Sequence, residues 1–366
     1  MEIALILTSF GTAIACSCHL AETAMQQNLI AVIGFIVVRR LTMSRYKGHI
    51  IYRLGIVKLL CVVLIPALMI LARLTPQAGA LQNEGVTSAY LQIRLPAVGH
   101  VMVLAFLIPL APIAFMTLFS ITSGIRIPLP KKRSFTLTVG SVLLMACALL
   151  IAGLSAVNDD FGCAVILSGA AILLFFTAGY NLFFKGLVVM GGALGSLGLM
   201  LLSDKIRGRL AVFMNMRQAI KEGVGGSESI AYLLQTAHAW GFFGQGPGTE
   251  YPILKRQFFM ADYIFGCVLI DYGLIVGVLV FVLSLIMVLS LLKSDVEDRK
   301  DRICLYAIIL IFLISIFFSV GGNLGALPLT GVCYPFLSLS KTITPAFYVN
   351  LAVALNIKKR GVLNEA

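Results

Sequence analysis

Acidic side chains are scarce in this chain, 16 Asp and Glu in 366 residues, and three stand where a proton can be taken up or passed on: Asp160, Asp262 and Asp271. Asp262 closes the stretch GFFGQGPGTEYPILKRQFFMAD, a glycine-rich, charged segment that gives way to a long apolar run. A carboxylate at the rim of a cavity can act as a general base. Asp is also among the best helix N-caps. A helix N-terminus lowers a carboxylate's pKa, so service as a base needs opposing desolvation. The residues alone leave both readings open. Asp271 falls about two and a half turns deeper on the same predicted helix, on its opposite face. An acid inside an apolar span is costly and faces protein or water. It reads as a structural ion pair or a proton path, with Lys58 and His100 as conceivable partners, although Lys58 also reads as a snorkelling cation.

The other chemistry-bearing positions are cationic or conformational. Arg209, Lys255 and Arg256 can stabilise concentrated negative charge on a leaving group, or simply contact lipid headgroups. The cluster Gly244-Gln245-Gly246-Pro247-Gly248 lacks the βαβ surroundings of a dinucleotide loop. Its glycines permit positive φ, and exposed amides in such a turn can bind an anion; the alternative is a tight turn at the membrane surface. Asn158-Asp159-Asp160-Phe161-Gly162 reads as an Asx-type turn, or as a turn aiming Asp160 at the cavity of Asp262. Pro328, Gly331 and Pro335 interrupt the last apolar stretch, which is tolerated at membrane depth where backbone is buried in protein or lines a wet cavity. Lys341 just beyond can meet a phosphate. Cys16-Ser17-Cys18-His19 has metal-ligand types, but no second ligand cluster follows, so no metal site is expected there.

These residues need a membrane scaffold to position them. The chain is 59% hydrophobic and 12% charged, against about 25% charged in soluble domains. Apolar runs near 3–18, 28–40, 49–73, 97–123, 135–157, 162–182, 186–203, 263–292, 303–320 and 333–355 match the length that spans a bilayer as helix. The expected fold is all-α, with about ten transmembrane helices in a single domain, 1–366. The shorter alternating segments of a barrel are absent from the sequence. The first run lacks a basic flank and cleavage site and reads as a retained helix. The eight cysteines mostly lie in or beside apolar runs, where thiols behave as small hydrophobes, so no disulfide framework is expected.

The net charge of +12 does not require nucleic acid as a partner. Most Lys and Arg fall in alternate connections and the C-terminal tail, among them Arg45, Lys47, Lys131, Lys132, Lys358 and Lys359, while the connections after the first, third, fifth and ninth runs hold only Arg94. The positive-inside rule then places both termini in the cytoplasm. One extracytoplasmic loop between helices 7 and 8, residues 204–262, departs from the rule by carrying Lys205, Arg207, Arg209, Arg217, Lys221, Lys255 and Arg256. Long loops translocate regardless of charge, and on a rigid scaffold they are often functional.

Taken together, these pieces resemble the SEDS family (shape, elongation, division and sporulation proteins, FtsW/RodA/SpoVE-like). Its T-D-F-I-F-A followed by E-E-x-G is similar to Ala261-Asp262-Tyr263-Ile264-Phe265-Gly266 with Ile270-Asp271-Tyr272-Gly273. Its G-G-L-F-G-K-G-L-G looks like Trp240 to Gly248, and its Q-P-D-L-G-T like Asn158 to Cys163. The G-L-L-P-V-T-G and L-P-F-I-S elements match Gly325–Gly331 and Tyr334–Ser338. Arg209 to Phe213 echoes an R-x-x-x-F loop. The motifs cover about residues 150 to 345. The chain departs from the pattern at Gln257-Phe258-Phe259-Met260, where the family has P-E-A-H, and at the fourth-helix P-S-E-x-x-K, of which only Pro96 and His100 stand nearby. The R-W-I element reads Tyr90-Leu91-Gln92-Ile93 at best, and S-Y-G-G-S reads Ser338-Leu339-Ser340-Lys341-Thr342.

The resemblance implies a multi-pass protein of the bacterial cytoplasmic membrane. It implies polymerisation of lipid II, the undecaprenyl-pyrophosphate-linked disaccharide-pentapeptide, into glycan strands during cell-wall synthesis linked to shape or division. Asp262 falls on the family's proposed catalytic carboxylate. Arg209, Lys255, Arg256, Asp160 and Lys341 then become substrate contacts, and a divalent cation (Mg or Mn) can share the pyrophosphate. Implied partners are a class B penicillin-binding transpeptidase and other cell-wall or divisome proteins. Two other readings stand beside this one: a flippase or transporter of lipid-linked precursors relaying protons through Asp271 and Asp160, and a weakly active scaffold for a transpeptidase, suggested by the missing P-E-A-H.

Overall fold

The computed structural model describes residues 1–17, 21–43, 55–74, 92–95, 99–121, 139–157, 161–177, 185–186, 188, 190–191, 213–215, 218, 241–247, 261–292, 296–328, 330–340 and 342–364. The described residues lie mostly in apolar helices. In order they are α1 (Glu2–Ser17), α2 (Ala21–Met43), α3 (Gly55–Leu74), α4 (Val103–Ile121) and α5 (Val139–Val157). Then come α6 (Phe161–Cys163), a π-helical stretch Ala164–Ser168 and α7 (Gly169–Thr177), which run on from one another. The last three are α8 (Ile264–Leu292), α9 (Arg299–Asn323) and α10 (Ile343–Asn364).

Helix α9 starts where Asp298 accepts a hydrogen bond from the Lys300 amide at 2.9 Å, an N-cap that satisfies one of the first-turn donors. It runs through the middle of the bundle, against α4, α7, α8 and α10. Helix α8 lies nearer the outside and turns Leu274, Ile275, Val278, Leu279 and Ile286 outward. Such a continuous apolar face suits hydrocarbon and not water. Among the described residues, α8 and α9 are each long and apolar enough to cross a membrane. One core of buried side chains runs from Ala4 in α1 to Ile357 in α10.

Proline sets one helix contact. Pro112 has no amide hydrogen, so within α4 it leaves the Ile108 carbonyl without its usual i+4 donor. Asn350 of α10 donates its Nδ2 to that carbonyl at 3.1 Å. A polar residue on one helix thereby completes the backbone of its neighbour, as a dry bundle interior demands.

Four expectations change. The helix expected over 97–123 begins only at Val103, because Gly99–Met102 forms strand β2, antiparallel to β1 (Gln92–Leu95) with Arg94 opposite His100. The helix expected from 333 begins at Ile343: Pro335 cannot donate to a helix ladder, and Phe336 adopts a positive φ of 65°. The helix expected over 28–40 is longer, because the polar residues before it, Glu22 to Asn28, join the helical run. The helix over 263–292 is not continuous but breaks at Gly273 (φ 79°, ψ −178°). Most of the span expected over 186–203 lies outside the described residues, as does most of the loop 204–262 apart from 213–215, 218, 241–247 and 261–262.

Candidate functional site

The site is assembled where the start of α8, the end of α9 and the non-helical segment 330–340 meet. In an ordinary helix the Gly266 amide would donate to the Asp262 carbonyl, four residues back. Here the side-chain amide of Asn323, the last residue of α9, is spliced into that bond. Its Oδ1 accepts from the Gly266 amide at 2.9 Å, and its Nδ2 donates to the Asp262 carbonyl at 3.0 Å. The same Nδ2 donates to the Ser319 carbonyl at 2.7 Å, one turn back in α9. The next rung is normal, with Cys267 donating to the Tyr263 carbonyl at 3.0 Å. Asp262 therefore sits on a turn prised open by one residue from another helix.

Segment 330–340 closes the other side. Ser338 donates its hydroxyl to the Ala261 carbonyl at 2.6 Å and accepts from the Tyr334 amide at 2.7 Å. The Ser338 carbonyl receives Gln27 Nε2 of α2 at 3.1 Å and the Thr344 hydroxyl at 3.0 Å. This irregular backbone is buried and meets part of its hydrogen bonding through side chains, which is how such breaks persist at membrane depth. The Cys333 thiol lies 3.9 Å from Asp262 Oδ1. The Asp262 carboxyl is half-buried, whereas Asn323 and Ser338 are each 1% exposed.

A second junction lies one helix segment away. The break at Gly273 frees carbonyls before it and amides after it, and the turn 241–247 takes up both sets. The Gln245 and Gly246 amides donate to the Ile270 and Asp271 carbonyls at 2.7 and 2.9 Å. Leu274 and Ile275 donate to the Gly241 and Phe242 carbonyls at 3.2 and 3.3 Å. The two chains touch backbone to backbone: a methyl on Gly244 would lie 2.5 Å from the Gly273 nitrogen, and one on Gly273 would collide with Gly244. Both glycines also hold positive φ, 74° and 79°, which only glycine adopts without strain.

Several sequence expectations can now be placed. Gly244 and Gly246 lie in a turn, and the amides of Gln245 and Gly246, which the anion reading would leave exposed, donate to α8. Asp271 is buried beside the break, 1% exposed. Pro328, Gly331 and Pro335 fall in the non-helical run after α9, with Gly331 at φ 71°. Arg209, Lys255, Arg256, Asp160, Lys341 and Gly248 lie outside the described residues, as do the side chains of Lys58 and His100. Among the described residues, no three His, Cys, Asp or Glu side chains gather to hold a metal ion. Asn323 and Cys333 were missed by reading the sequence. The available signal was a lone Asn after Gly321-Gly322 at the end of an apolar run, since a polar residue inside a span tends to bond across helices.

Fold and site together define an apolar helical bundle in which a carboxylate stands at a side-chain-bridged helix start. The chain belongs to the FtsW/RodA/SpoVE family of cell cycle proteins, whose sequence model matches residues 4–361. It is 27% identical to a probable peptidoglycan glycosyltransferase FtsW of Bacillus subtilis over 62% of this chain and 59% of that one. It is 28% identical to a peptidoglycan glycosyltransferase RodA of Treponema pallidum over 42% of this chain and 36% of that one. In both, the chain spans less than two thirds of the relative's length. In fold it is similar to a chain of a peptidoglycan synthase complex, with a TM-score of 0.71 at 14% identity over 98% of this chain and 96% of that one. It is also similar to the rod shape determining protein RodA of Thermus thermophilus, with a TM-score of 0.61 at 16% identity over 98% and 95%.

Proposed function

We propose that this protein polymerises lipid II into glycan strands, with Asp262 as general base, in the bacterial cytoplasmic membrane. The observation that carries the reading is the double fixing of Asp262: its own carbonyl is held by Asn323 and the preceding carbonyl by Ser338. A fixed backbone on either side holds a carboxylate to one approach, which is what proton abstraction in a bound complex requires. The names of the relatives as peptidoglycan glycosyltransferases support the same reading.

In the reaction, the acceptor sugar's 4-hydroxyl attacks the anomeric carbon of the donor. The glycosidic C–O bond forms as the bond to the pyrophosphate oxygen breaks, and the hydroxyl proton passes to Asp262. Lipid pyrophosphate leaves with its charge stabilised by Arg209, Lys255 and Arg256, and Asp160 and Lys341 complete the substrate contacts. A divalent cation at the pyrophosphate belongs to the same reading; polymerisation measured with and without chelator tests it. Both termini lie in the cytoplasm, loop 204–262 lies outside, and a class B penicillin-binding protein uses the glycan product.

Purified protein and its Asp262→Asn variant, assayed for lipid II polymerisation with and without a partner transpeptidase, test the proposal. The variant is expected to lose about 10²- to 10⁴-fold in rate, the usual contribution of a positioned acid or base. Equal glycan output from both proteins removes Asp262 as the base. No output from either turns the reading to transport or scaffolding.

A further inference from the structure

Asn323 makes three hydrogen bonds from a fully buried position, and their chemistry fixes which way its amide points. Two partners are carbonyl oxygens, of Asp262 and Ser319, and one is the Gly266 amide. Only Nδ2 can serve two acceptors while Oδ1 serves the donor. The side chain replaces the missing Gly266-to-Asp262 rung with two bonds. This holds the first turn of α8 open at the residue that carries the carboxylate. Were the bridge absent, the Gly266 amide and the Asp262 carbonyl would both lose their bond to Asn323, and they are the pair an ordinary helix joins. The turn would then close, because buried backbone groups do not stay unsatisfied.

We propose that Asn323 is a positioning residue for Asp262: by occupying the helix rung between Asp262 and Gly266, it sets where the carboxylate stands relative to the amides of the first turn. The inference rests on Asp262 being the base. It goes beyond that reading because it makes the activity depend on a residue at the far end of another helix. It also makes the carboxylate's acidity depend on an open turn. A helix N-terminus stabilises an ionised carboxylate within its first turn only, so re-forming the rung changes both the direction and the proton affinity of Asp262.

The test uses full-length purified protein and three variants. Asn323→Asp keeps the shape and the acceptor for Gly266 but sets an oxygen against two carbonyls. Asn323→Leu removes all three bonds. Ser338→Ala removes the hydroxyl holding the Ala261 carbonyl and guards against failure of the Asn323 variants to fold. Melting temperature, kcat and KM for lipid II polymerisation, and the pH dependence of kcat are measured on each, beside Asp262→Asn.

The expected result for Asn323→Asp and Asn323→Leu is a fall in kcat of roughly 10- to 100-fold, the scale of a small misplacement of a reacting group. KM should stay unchanged and the acid limb of the pH profile should move. Ser338→Ala should show a smaller change of the same kind. Loss of activity only in proportion to lost folded protein, with the wild-type pH profile kept, overturns the proposal and leaves Asn323 a packing residue. Wild-type kcat and profile in folded variants overturn it too. If Asp262→Asn is inactive in either case, the base reading survives and only this inference falls. If Asp262→Asn is fully active, both fall.

Discussion

Tyr334 is one of the largest fully buried side chains and lies outside any helix. Its ring stacks on Phe265 at the start of α8, with centroids 5.9 Å apart and planes within 3°. Its phenol meets the Ser284 hydroxyl at 2.8 Å, in the other half of the same helix. One residue thus ties α8 together across the break at Gly273. Replacing Tyr334 with Phe keeps the stack and removes the phenol's bond to Ser284 and its longer contact with the Val280 carbonyl at 3.5 Å, while Ser284 retains its own bond to that carbonyl at 2.8 Å. The expected cost is about 1 kcal/mol, read as a small drop in melting temperature in detergent, with the proposed glycan polymerisation kept. A loss of activity at unchanged melting temperature would make the phenol a functional group instead of a strut.

At the scale of elements, α8 is two helices sharing a clasp. The turn 241–247 works because Gly244 and Gly273 let two backbones approach within hydrogen-bonding distance on both sides of the break. Alanine at either position adds a methyl against backbone that cannot yield, at a φ where non-glycine residues cost about 1–3 kcal/mol before any collision. Gly244→Ala and Gly273→Ala are each expected to lower the melting temperature and to expose the Leu274 and Ile275 amides to hydrogen exchange. Unchanged exchange at those two amides would show that the clasp does not hold the break. The π-helical stretch Ala164–Ser168 is a second departure from regular helix, with the Ser168 hydroxyl donating to the Ala164 carbonyl. It packs against α5 and α9.

At the scale of the molecule, polar side chains do structural work between distant parts of the chain. Asn350 completes α4, Gln27 of α2 reaches Ser338, and the hydroxyls of Thr8 in α1 and Tyr348 in α10 meet at 2.8 Å. These bonds join the chain's first helices to its last. The proposed orientation is testable by reporter fusions. Alkaline phosphatase fused after Glu228 is expected to be active outside the cytoplasm, and green fluorescent protein fused after the last residue is expected to fluoresce within it. The opposite pair of results would invert the topology and put the Asp262 end of α8 on the wrong side for an extracytoplasmic glycan.

The apolar runs, the charge asymmetry between alternate connections and the family motifs are written in local sequence. They determined the helical membrane class, most helix positions, and Asp262 and Asp271 as the acids to watch. Hydropathy and spacing act over one or two turns, so they mark a helix whatever it packs against. What they cannot mark is a backbone bond exchanged for a side chain from elsewhere. Residues 333–340 read as helix because they are apolar, yet the Tyr334 amide and the Ser338 carbonyl find their partners in the side chains of Ser338, Gln27 and Thr344. Gly244 and Gly246 read equally as an anion turn or a tight structural turn, because nothing local shows the broken α8 that consumes the neighbouring amides. Asn323 reads as one polar residue at the end of a span, and only the meeting of α9 with α8 places its amide inside the turn that carries Asp262. In a bundle with little water to fall back on, each freed backbone group needs a partner, and which residue supplies it is decided only when the helices pack.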